Sequence, residues 1–386
     1  MPNLGSGSYG TVSSMRSDCC VKRCDIFDAD GELIRPNLME AVAAAYMCAQ
    51  PAHELVGIVS YKGVRTTAAT IKGGRACFNI RMERAPHGNL HSYILSHSFV
   101  ERMSVFQRMF DQISTALLTL HDQGFTHGDL KPSNIVITDA SPENFTCKII
   151  DLGSCVLYRE CEGRSRQHAY CTYTHAPPEY FTRTCLLQED VIRKHDAYSL
   201  GAVMHDFIYK THLYNVDEAH SFDHVRRLHK NGQINYPTSR PCNVPAHLFD
   251  IMMSLLQRDP HQRASIDSVC TPSSMRYIGM FYNYPRMNHA TLQRAWQNQQ
   301  SMAYNVLGHD IQCEGHHYHD KIRSIALSLC DRFVYASGKP CTPAEARACA
   351  CLANTLITAV KVSVDGDTEL HDAIVSVLQT LRCRII

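Results

Sequence analysis

The sequence lacks several features that would assign it to other classes of protein. Its 386 residues contain no run of about eighteen apolar residues, so we predict no membrane-spanning helix. Met1 is followed by a Gly/Ser-rich segment, whereas a secretory signal would begin with a basic and then an apolar stretch. The formal net charge is +1, which argues against a general binder of nucleic acid or membrane surfaces.

A disulfide framework is also missing, although cysteine is abundant. The eighteen cysteines are scattered through apolar segments without regular spacing. Secreted domains that depend on disulfides show ordered spacings, and intracellular proteins keep their thiols reduced. We therefore predict reduced, buried thiols in an intracellular protein of the cytoplasm or the nucleus, with neither a nucleic-acid nor a membrane partner.

The segment most informative about function is THGDLKPSN, residues 126–134. Asp129 could accept a proton from a hydroxyl group, and Lys131 could contact a transferring phosphate. Asn134 and Asp151 carry oxygens of the kind that Mg²⁺ prefers. Few reactions need this combination besides phosphoryl transfer from a nucleotide, so we predict ATP and Mg²⁺ as cofactors, with Asn134 and Asp151 as the metal ligands.

Two short apolar strands, 135–137 and 148–150, enclose a polar stretch rich in turn residues and predict a β-hairpin. A hairpin would bring Asn134, just before the first strand, next to Asp151, just after the second. Both candidate metal ligands would then lie at one end of the ribbon. This arrangement resembles the catalytic loop and the metal-binding loop of a eukaryotic-type protein kinase.

The resemblance implies a fold and a division of the chain. The fold class would be α+β, with the two lobes of a protein kinase followed by an all-α domain. The expected ranges are a small β-rich N-lobe at 1–82, a hinge at 83–86, a large helical C-lobe at 87–272 and a helical extension at 273–386. The resemblance also implies protein substrates and makes Asp129, Lys131 and Asn134 the catalytic residues.

The N-terminal segment LGSGSYGTV resembles the glycine-rich loop that covers the phosphates of ATP in kinases. Glycine lets the backbone approach a phosphate closely. Only four residues precede Gly5, so we expect the first strand to be nearly absent. The twelve residues from Gly10 to Lys22 form a compact segment similar to that of kinases of large DNA viruses such as herpesviruses, which act in a host cell. The implied nucleotide contacts are Leu4, Gly5, Gly7, Gly10 and Val12.

Lys22 lies in a short apolar run and would direct its ammonium group to the α and β phosphates. The resemblance implies a glutamate partner on a helix, and Glu40 is the best candidate because residues 35–45 are strong helix formers. Glu32 is an alternative. Asn37 and Glu40 also have the spacing of a capping box, which would give Glu40 a purely structural role.

Residues 80–90 resemble the kinase hinge, with Met82 as the gatekeeper. Main-chain groups of Glu83 and Ala85 would then bind the edge of the adenine ring. Without the resemblance, the pattern would indicate an ordinary strand that leads into a loop. Farther along, apolar residues recur every three or four positions from Met103 to Leu120 and predict an amphipathic helix.

Three later segments match the kinase pattern in the correct order. Residues PPE, which end at Glu179, resemble A-P-E, and DAYSLG, which begins at Asp196, resembles the start of a family helix. The third segment, RDPHQR, ends at Arg263. The resemblance implies that Asp196 accepts hydrogen bonds from the catalytic-loop backbone, and that Arg263 and Glu179 form a buried ion pair.

The substrate class follows from Lys131, two residues past Asp129, and from Thr172, seven residues before Glu179. Both are typical of serine/threonine kinases, so we predict transfer to Ser and Thr hydroxyls. Gly128 occupies a position where many kinases have Arg, and we therefore predict activity that does not depend on phosphorylation of the activation loop. The competing interpretation is a catalytically weak kinase-like scaffold.

Two C-terminal segments, 325–334 and 356–361, resemble helices of the cyclin box. Between them, Thr342 to Glu345 predicts a helix start and 346–360 an Ala-rich helix. The alternative is any small helical bundle. A cyclin-like module at 273–386 would act as a partner surface, on which Lys361 would contact the helix bearing Glu40 in this chain or in another kinase.

The stretch 309–319 combines Cys and His, the residue types that bind zinc. Its spacing matches no standard zinc finger, so we prefer a polar loop before a helix.

Overall fold

The computed structural model describes residues 3–7, 10–50, 55–68, 75–157, 164–165, 171–181, 186–187, 189–214, 222–231, 234, 236–270, 326, 329–330, 333, 336–337, 339, 341–357 and 368–381. They fall into two compact units. The first unit comprises residues 1–49, 61–83 and 283–386, and the second comprises 50–60 and 84–282. The C-terminal helices thus group with the N-terminal strands. The domain boundaries expected at residues 82, 86 and 272 stay predictions.

In chain order, the strands are β1 (Asn3–Gly7), β2 (Gly10–Arg16), β3 (Cys19–Asp25), β4 (Tyr61–Thr67), β5 (Cys77–Glu83), β6 (Phe125–Thr126), β7 (Ile135–Asp139), β8 (Thr146–Ile149), β9 (Val156–Leu157), β10 (Arg164–Ser165) and β11 (Leu186–Leu187). The helices are α1 (Arg35–Ala49), α2 (Leu90–Ser96), α3 (Phe99–Asp122), α4 (Glu189–Tyr209), α5 (Phe222–Lys230), α6 (Ala246–Leu255), α7 (Ile266–Val269), α8 (Pro343–Ile357) and α9 (Thr368–Leu381).

The first unit is built on an antiparallel sheet with the strand order β1-β2-β3-β5-β4. The expectation that the first strand is nearly absent is wrong. Gly7 lies opposite Gly10 and Asn3 lies opposite Ser13, so the glycine-rich segment itself forms β1 and pairs with β2. In a short hairpin the residues next to the turn pair directly with the following strand, so the few residues of β1 are enough to form a strand.

The first unit also contains helices from both ends of the chain. α1 packs against β4 and β5, and α8 and α9 pack against each other. Thr342 and Glu345 form a capping box at the start of α8, which confirms the predicted helix start. α8 contacts α1, and α9 contacts β4.

The second unit is mainly helical. α3 confirms the helix predicted around 103–120, begins with a capping box of Ser98 and Glu101, and contacts β8 and α4. β7 and β8 form the predicted hairpin, in which Ile135 lies opposite Ile149. β6 pairs with β9, so the catalytic segment and the segment after Asp151 meet in a second small ribbon.

Two composition-based predictions can be compared with the described residues. None of the helices in those residues is long and apolar enough to cross a membrane. Most of the cysteines described there are buried or partly buried, as expected, and Cys242 is exposed. That the thiols are reduced stays a prediction. The cyclin-like fold and the role of Lys361 stay predictions, and Lys361 and the stretch 309–319 lie outside the described residues.

A buried histidine in the second unit makes the stability depend on pH. His229 lies on α5, and its ring packs 4.8 Å from that of Phe181. Burial, and then the charge of Arg258, lower its pKa from 6.5 to about 4. Between these two values the unfolded chain binds a proton that the folded chain does not bind. The titration of His229 therefore leaves the free energy of unfolding unchanged above pH 6.5 and lowers it as the pH falls toward 4.

We expect His229→Phe to remove this part of the pH dependence, because the aromatic ring stays while the titrating group is lost. Between neutral pH and about pH 5, the wild-type free energy of unfolding should fall by about 2 kcal/mol more than that of the variant. Urea denaturation at both pH values measures the difference. His261→Phe, at an exposed position, is the control. An equal pH dependence in wild type and His229→Phe would contradict the prediction.

Candidate active site

The catalytic loop is attached to the buried carboxylate of Asp196. The main-chain N–H groups of His127 and Gly128 donate to its two oxygens at 2.8 and 2.9 Å. This confirms the contact that the sequence predicts. His121, in the last turn of α3, also places its Nε2 2.9 Å from Asp196. Burial alone would raise the pKa of this carboxyl group, but the hydrogen bond and the charge of His121 hold the pKa well below its usual range.

The His127 side chain connects the catalytic loop to the metal-binding loop. Its Nε2 lies 2.9 Å from the carbonyl oxygen of Ile150, the residue before Asp151. Its Nδ1 accepts a hydrogen bond from the Asp129 N–H at 3.3 Å, which makes Nε2 the protonated nitrogen. The ring is fully buried. The backbone positions of Asp129 and Asp151 are therefore coupled through one imidazole.

Both oxygens of the Asp129 carboxylate have hydrogen-bond partners. Oδ1 accepts from the main-chain N–H of Thr172 at 2.6 Å, and Oδ2 lies 3.0 Å from the Lys131 ammonium. Lys131 also donates to the Thr172 hydroxyl at 2.5 Å. Thr172 thus contacts both residues: its main-chain N–H donates to Asp129, and its hydroxyl accepts from Lys131. The carboxylate is held in one orientation.

The hairpin brings the two candidate metal ligands together as expected. The Ile150 N–H donates to the Asn134 carbonyl at 2.9 Å, so Asn134 and Asp151 follow each other across the end of the ribbon. The Asn134 amide nitrogen donates to the Asp129 carbonyl at 2.9 Å, which makes the amide oxygen the atom available to a metal. Asp151 has φ +66°, a left-handed conformation that is rare outside glycine.

In the first unit, Lys22 and Glu40 form a buried ion pair with 2.6 Å between Nζ and Oε2. The pairing of Lys22 with Glu40 proposed from the sequence is confirmed, and the partner of Lys22 in this ion pair is Glu40 and not Glu32. The capping-box alternative for Glu40 is wrong. Asn37 and Glu40 are both buried, and Asn37 donates its side-chain amide to the carbonyl oxygen of Asp25 at the end of β3.

The other predicted nucleotide residues occupy defined positions in the chain. Leu4, Gly5 and Gly7 lie in β1, whereas Gly10 and Val12 lie in β2. Val12 lies directly opposite Lys22, so these two residues are adjacent across the sheet. Gly10 also has a packing role, because a Cβ there would lie 2.6 Å from the carbonyl oxygen of Arg23.

The residues predicted to form the gatekeeper and the hinge belong to two different units of the structure. Met82 is buried near the end of β5, Glu83 is its last residue, and the Cys20 thiol lies 3.5 Å from the Glu83 carbonyl. Ala85 lies in irregular structure of the second unit. Their contact with adenine stays a prediction.

The predicted ion pair of the second unit is confirmed and bidentate. Arg263 donates to the two oxygens of Glu179 at 2.6 and 2.8 Å, and its side chain is buried. Arg263 also donates to the Lys194 and Gln257 carbonyls, so its charge is hydrogen-bonded on several sides. A buried pair of this kind is costly to break at one partner. It attaches the segment that ends at Glu179 to the helical core.

A second attachment of this segment was not predicted from the sequence. Asp206 on α4 accepts hydrogen bonds from His175 at 3.0 Å and His212 at 2.8 Å, both through Oδ2. Burial would raise the pKa of Asp206, but the charge and hydrogen bond of His175 hold it well below the usual range of Asp. His212 follows α4 closely, whereas His175 lies on a distant segment that no spacing in the sequence relates to Asp206.

Comparison with protein families matches residues 1–274 to the family described as "Protein kinase domain". The chain therefore belongs to the protein kinase family, and its β-sheet N-terminal region and helical part fit the two-lobed kinase fold. Within that family it is a serine/threonine protein kinase, the class to which its named relatives belong.

Three relatives illustrate the similarity. Testis-specific serine/threonine-protein kinase 2 of Mus musculus is 24% identical over 274 residues, which cover 70% of this chain and 71% of the relative. Serine/threonine-protein kinase D2 of Homo sapiens is 28% identical over 184 residues, 47% of this chain and 19% of that protein. Serine/threonine-protein kinase mos of Gallus gallus is 34% identical over 184 residues, 46% of this chain and 47% of that protein. The chain thus spans less than half of the length of the last two. A viral source stays a prediction.

Gly128 is required by the local geometry. Its φ is +77°, and a Cβ there would lie 2.4 Å from the Ser154 carbonyl oxygen, in the loop that follows Asp151. Gly88 provides a comparison, because its φ is +76° and a Cβ at that position would have no other atom within 4 Å. The two glycines have nearly the same φ, and only at Gly128 would a Cβ collide with a neighbouring backbone atom.

We expect Gly88→Ala to lower the free energy of unfolding by about 1 kcal/mol, the cost of a left-handed residue with a side chain. Gly128→Ala should cost about 2 kcal/mol more, because the Ser154 backbone must also shift. It should lower kcat by at least about tenfold, since the shift moves the loop that carries Asp151. Urea denaturation and steady-state kinetics measure both effects. Equal stability and kcat in the two variants would contradict this explanation.

Proposed function

We propose that this kinase transfers the γ-phosphoryl group of ATP to serine and threonine hydroxyls of protein substrates, with Asp129 as the base that orients and deprotonates the hydroxyl. The observation that best supports the proposal is the arrangement around Asp129. Its carboxylate is held at one oxygen by the Thr172 N–H and at the other by Lys131. A base held in one orientation does not have to be ordered during the reaction, which lowers the barrier.

Lys131 and Thr172 support the serine/threonine assignment. The Lys131 ammonium contacts both Asp129 and the Thr172 hydroxyl, so its charge stays beside the base. From this position it can stabilise negative charge on the phosphoryl group as that group transfers. Asn134 completes the catalytic set by donating its amide to the Asp129 main chain.

The two residues that flank the hairpin fit Mg²⁺. The Asn134 amide oxygen and the Asp151 carboxylate form an oxygen donor set, which is the set that this hard cation prefers. Asp151 adopts a strained left-handed conformation, and such strain is concentrated at functional sites. We assign Asn134 and Asp151 as the metal ligands. When bound, Mg²⁺ supplies positive charge that neutralises the phosphates.

The nucleotide contacts are proposed from the first unit and from the segment after β5. Lys22 would bind the α and β phosphates, and its ion pair with Glu40 holds the ammonium group in place. The main-chain groups of Glu83 and Ala85 would bind adenine. The glycine-rich segment would contact the phosphates through Leu4, Gly5, Gly7, Gly10 and Val12.

We expect Asp129→Asn to lower kcat about 10²–10³-fold with little change in stability, because the amide keeps the shape of the side chain and loses the base. The assay follows labelled phosphate from ATP to a generic Ser/Thr substrate, followed by identification of the phosphorylated amino acid. Asp250→Asn, at an exposed position of α6, is the matched control. Equal transfer by wild type and Asp129→Asn would refute the catalytic assignment and favour the scaffold interpretation.

The absence of Arg at position 128 leads to a prediction about regulation. A phosphorylated activation loop usually binds such a guanidinium, and Gly128 offers none. We expect purified enzyme to keep its kcat after complete dephosphorylation by a broad-specificity phosphatase. Mass spectrometry of the activation segment verifies that phosphate has been removed, and mock-treated enzyme is the control. A loss of activity that ATP alone restores would show that phosphorylation is needed.

A further inference from the structure

α1, the helix that carries Glu40, is buried around its whole circumference. Its buried residues occupy positions on every side of the helix: Pro36, Asn37, Leu38, Met39, Glu40, Ala41, Val42, Ala43, Ala44, Ala45 and Met47. A helix that packs on a sheet with one face normally presents polar residues on the other. The composition of α1 therefore requires a second covering layer besides β4 and β5.

Among the described elements of the first unit, α8 provides that layer. It contacts α1, and most of its buried residues are small. They are Ala344, Ala346, Ala348, Cys349, Ala350, Leu352 and Ala353. Small side chains on both helices allow the two backbones to approach closely. The outer face of α1 is thus an interaction surface occupied by a segment of the same chain.

α9 attaches this covering layer to the sheet and to the segment that leads into α1. The His371 ring stacks on the Phe27 ring with 4.1 Å between centroids, and Phe27 belongs to the segment between β3 and α1. Gln379 donates to the Thr66 carbonyl of β4 at 3.4 Å. Ile374 and Leu378 are fully buried, as expected for a helix that contacts both α8 and β4.

We propose that the pair of helices α8 and α9 is an internal partner of α1 that holds Glu40 against Lys22. The inference rests on the proposed function, in which the ion pair with Glu40 holds Lys22 in position to bind the α and β phosphates of ATP. Because α8 contacts α1 and α9 is attached to β4, a movement of α1 away from β3, which carries Lys22, would break either the α1–α8 contact or the contact of α9 with β4. The outer face of α1 is consequently closed to a separate activating protein, because α8 already occupies it. Kinase activity should depend on residues about three hundred positions away from Glu40.

The test uses native-state hydrogen exchange of the full chain in increasing urea, read separately for α1, α9 and α3. We expect α1 and α9 to open together as one cooperative unit, distinct from α3 in the second unit. In the double variant His371→Ala/Gln379→Ala, protection of α1 and α9 should fall by the same factor, roughly fivefold, with α3 unchanged. The KM for ATP should rise in the same variant. Glu369→Ala, an exposed position on α9, should change neither.

Ile374→Asp provides a stronger perturbation, because it places a charge at a fully buried position of α9. It should open α1 and α9 while α3 keeps wild-type protection. The proposal is overturned if α1 opens independently of α9 in wild type, or keeps its protection where α9 has lost it. An equal loss in α3 also overturns it, since α1 would then depend on α9 no more than the rest of the chain does. Exchange is read without any assay of phosphoryl transfer, so these outcomes are separate from failure of the Asp129 assignment.

Discussion

The catalytic loop depends on a buried carboxylate. Asp196 accepts the N–H groups of His127 and Gly128, and without it these two donors would be buried and unsatisfied. Its position fixes the His127 ring, which reaches the Ile150 carbonyl and thereby the start of the metal-binding loop. One buried charged group thus positions the backbone on both sides of the hairpin.

Much of the second unit could be predicted because its signals are local. Apolar alternation on either side of a turn-rich stretch predicts the β7–β8 hairpin, and the hairpin alone places Asn134 beside Asp151. The periodicity around residue 110 predicts α3 in the same way. The contacts of Glu179 with Arg263 and of Lys22 with Glu40 could be inferred only through family resemblance, since both join residues that are distant along the chain.

The features that escaped prediction depend on tertiary packing. His175 meets Asp206 and His212 because two distant segments converge, and a histidine in a sequence does not reveal its partner. The capping-box spacing of Asn37 and Glu40 was misleading, because burial turned both side chains to interior partners. β1 is longer than the few residues before Gly5 suggest, because the glycine-rich segment itself pairs with β2.

The contact between Gln379 and Thr66 also bears on how the chain folds as it is synthesised. β4 is an edge strand, and an uncovered edge can pair with other chains. Gln379, on the covering helix α9, is synthesised 313 residues after Thr66. The edge of β4 therefore lacks this cover while the second unit is being synthesised, and it is open to pairing with other chains during that time.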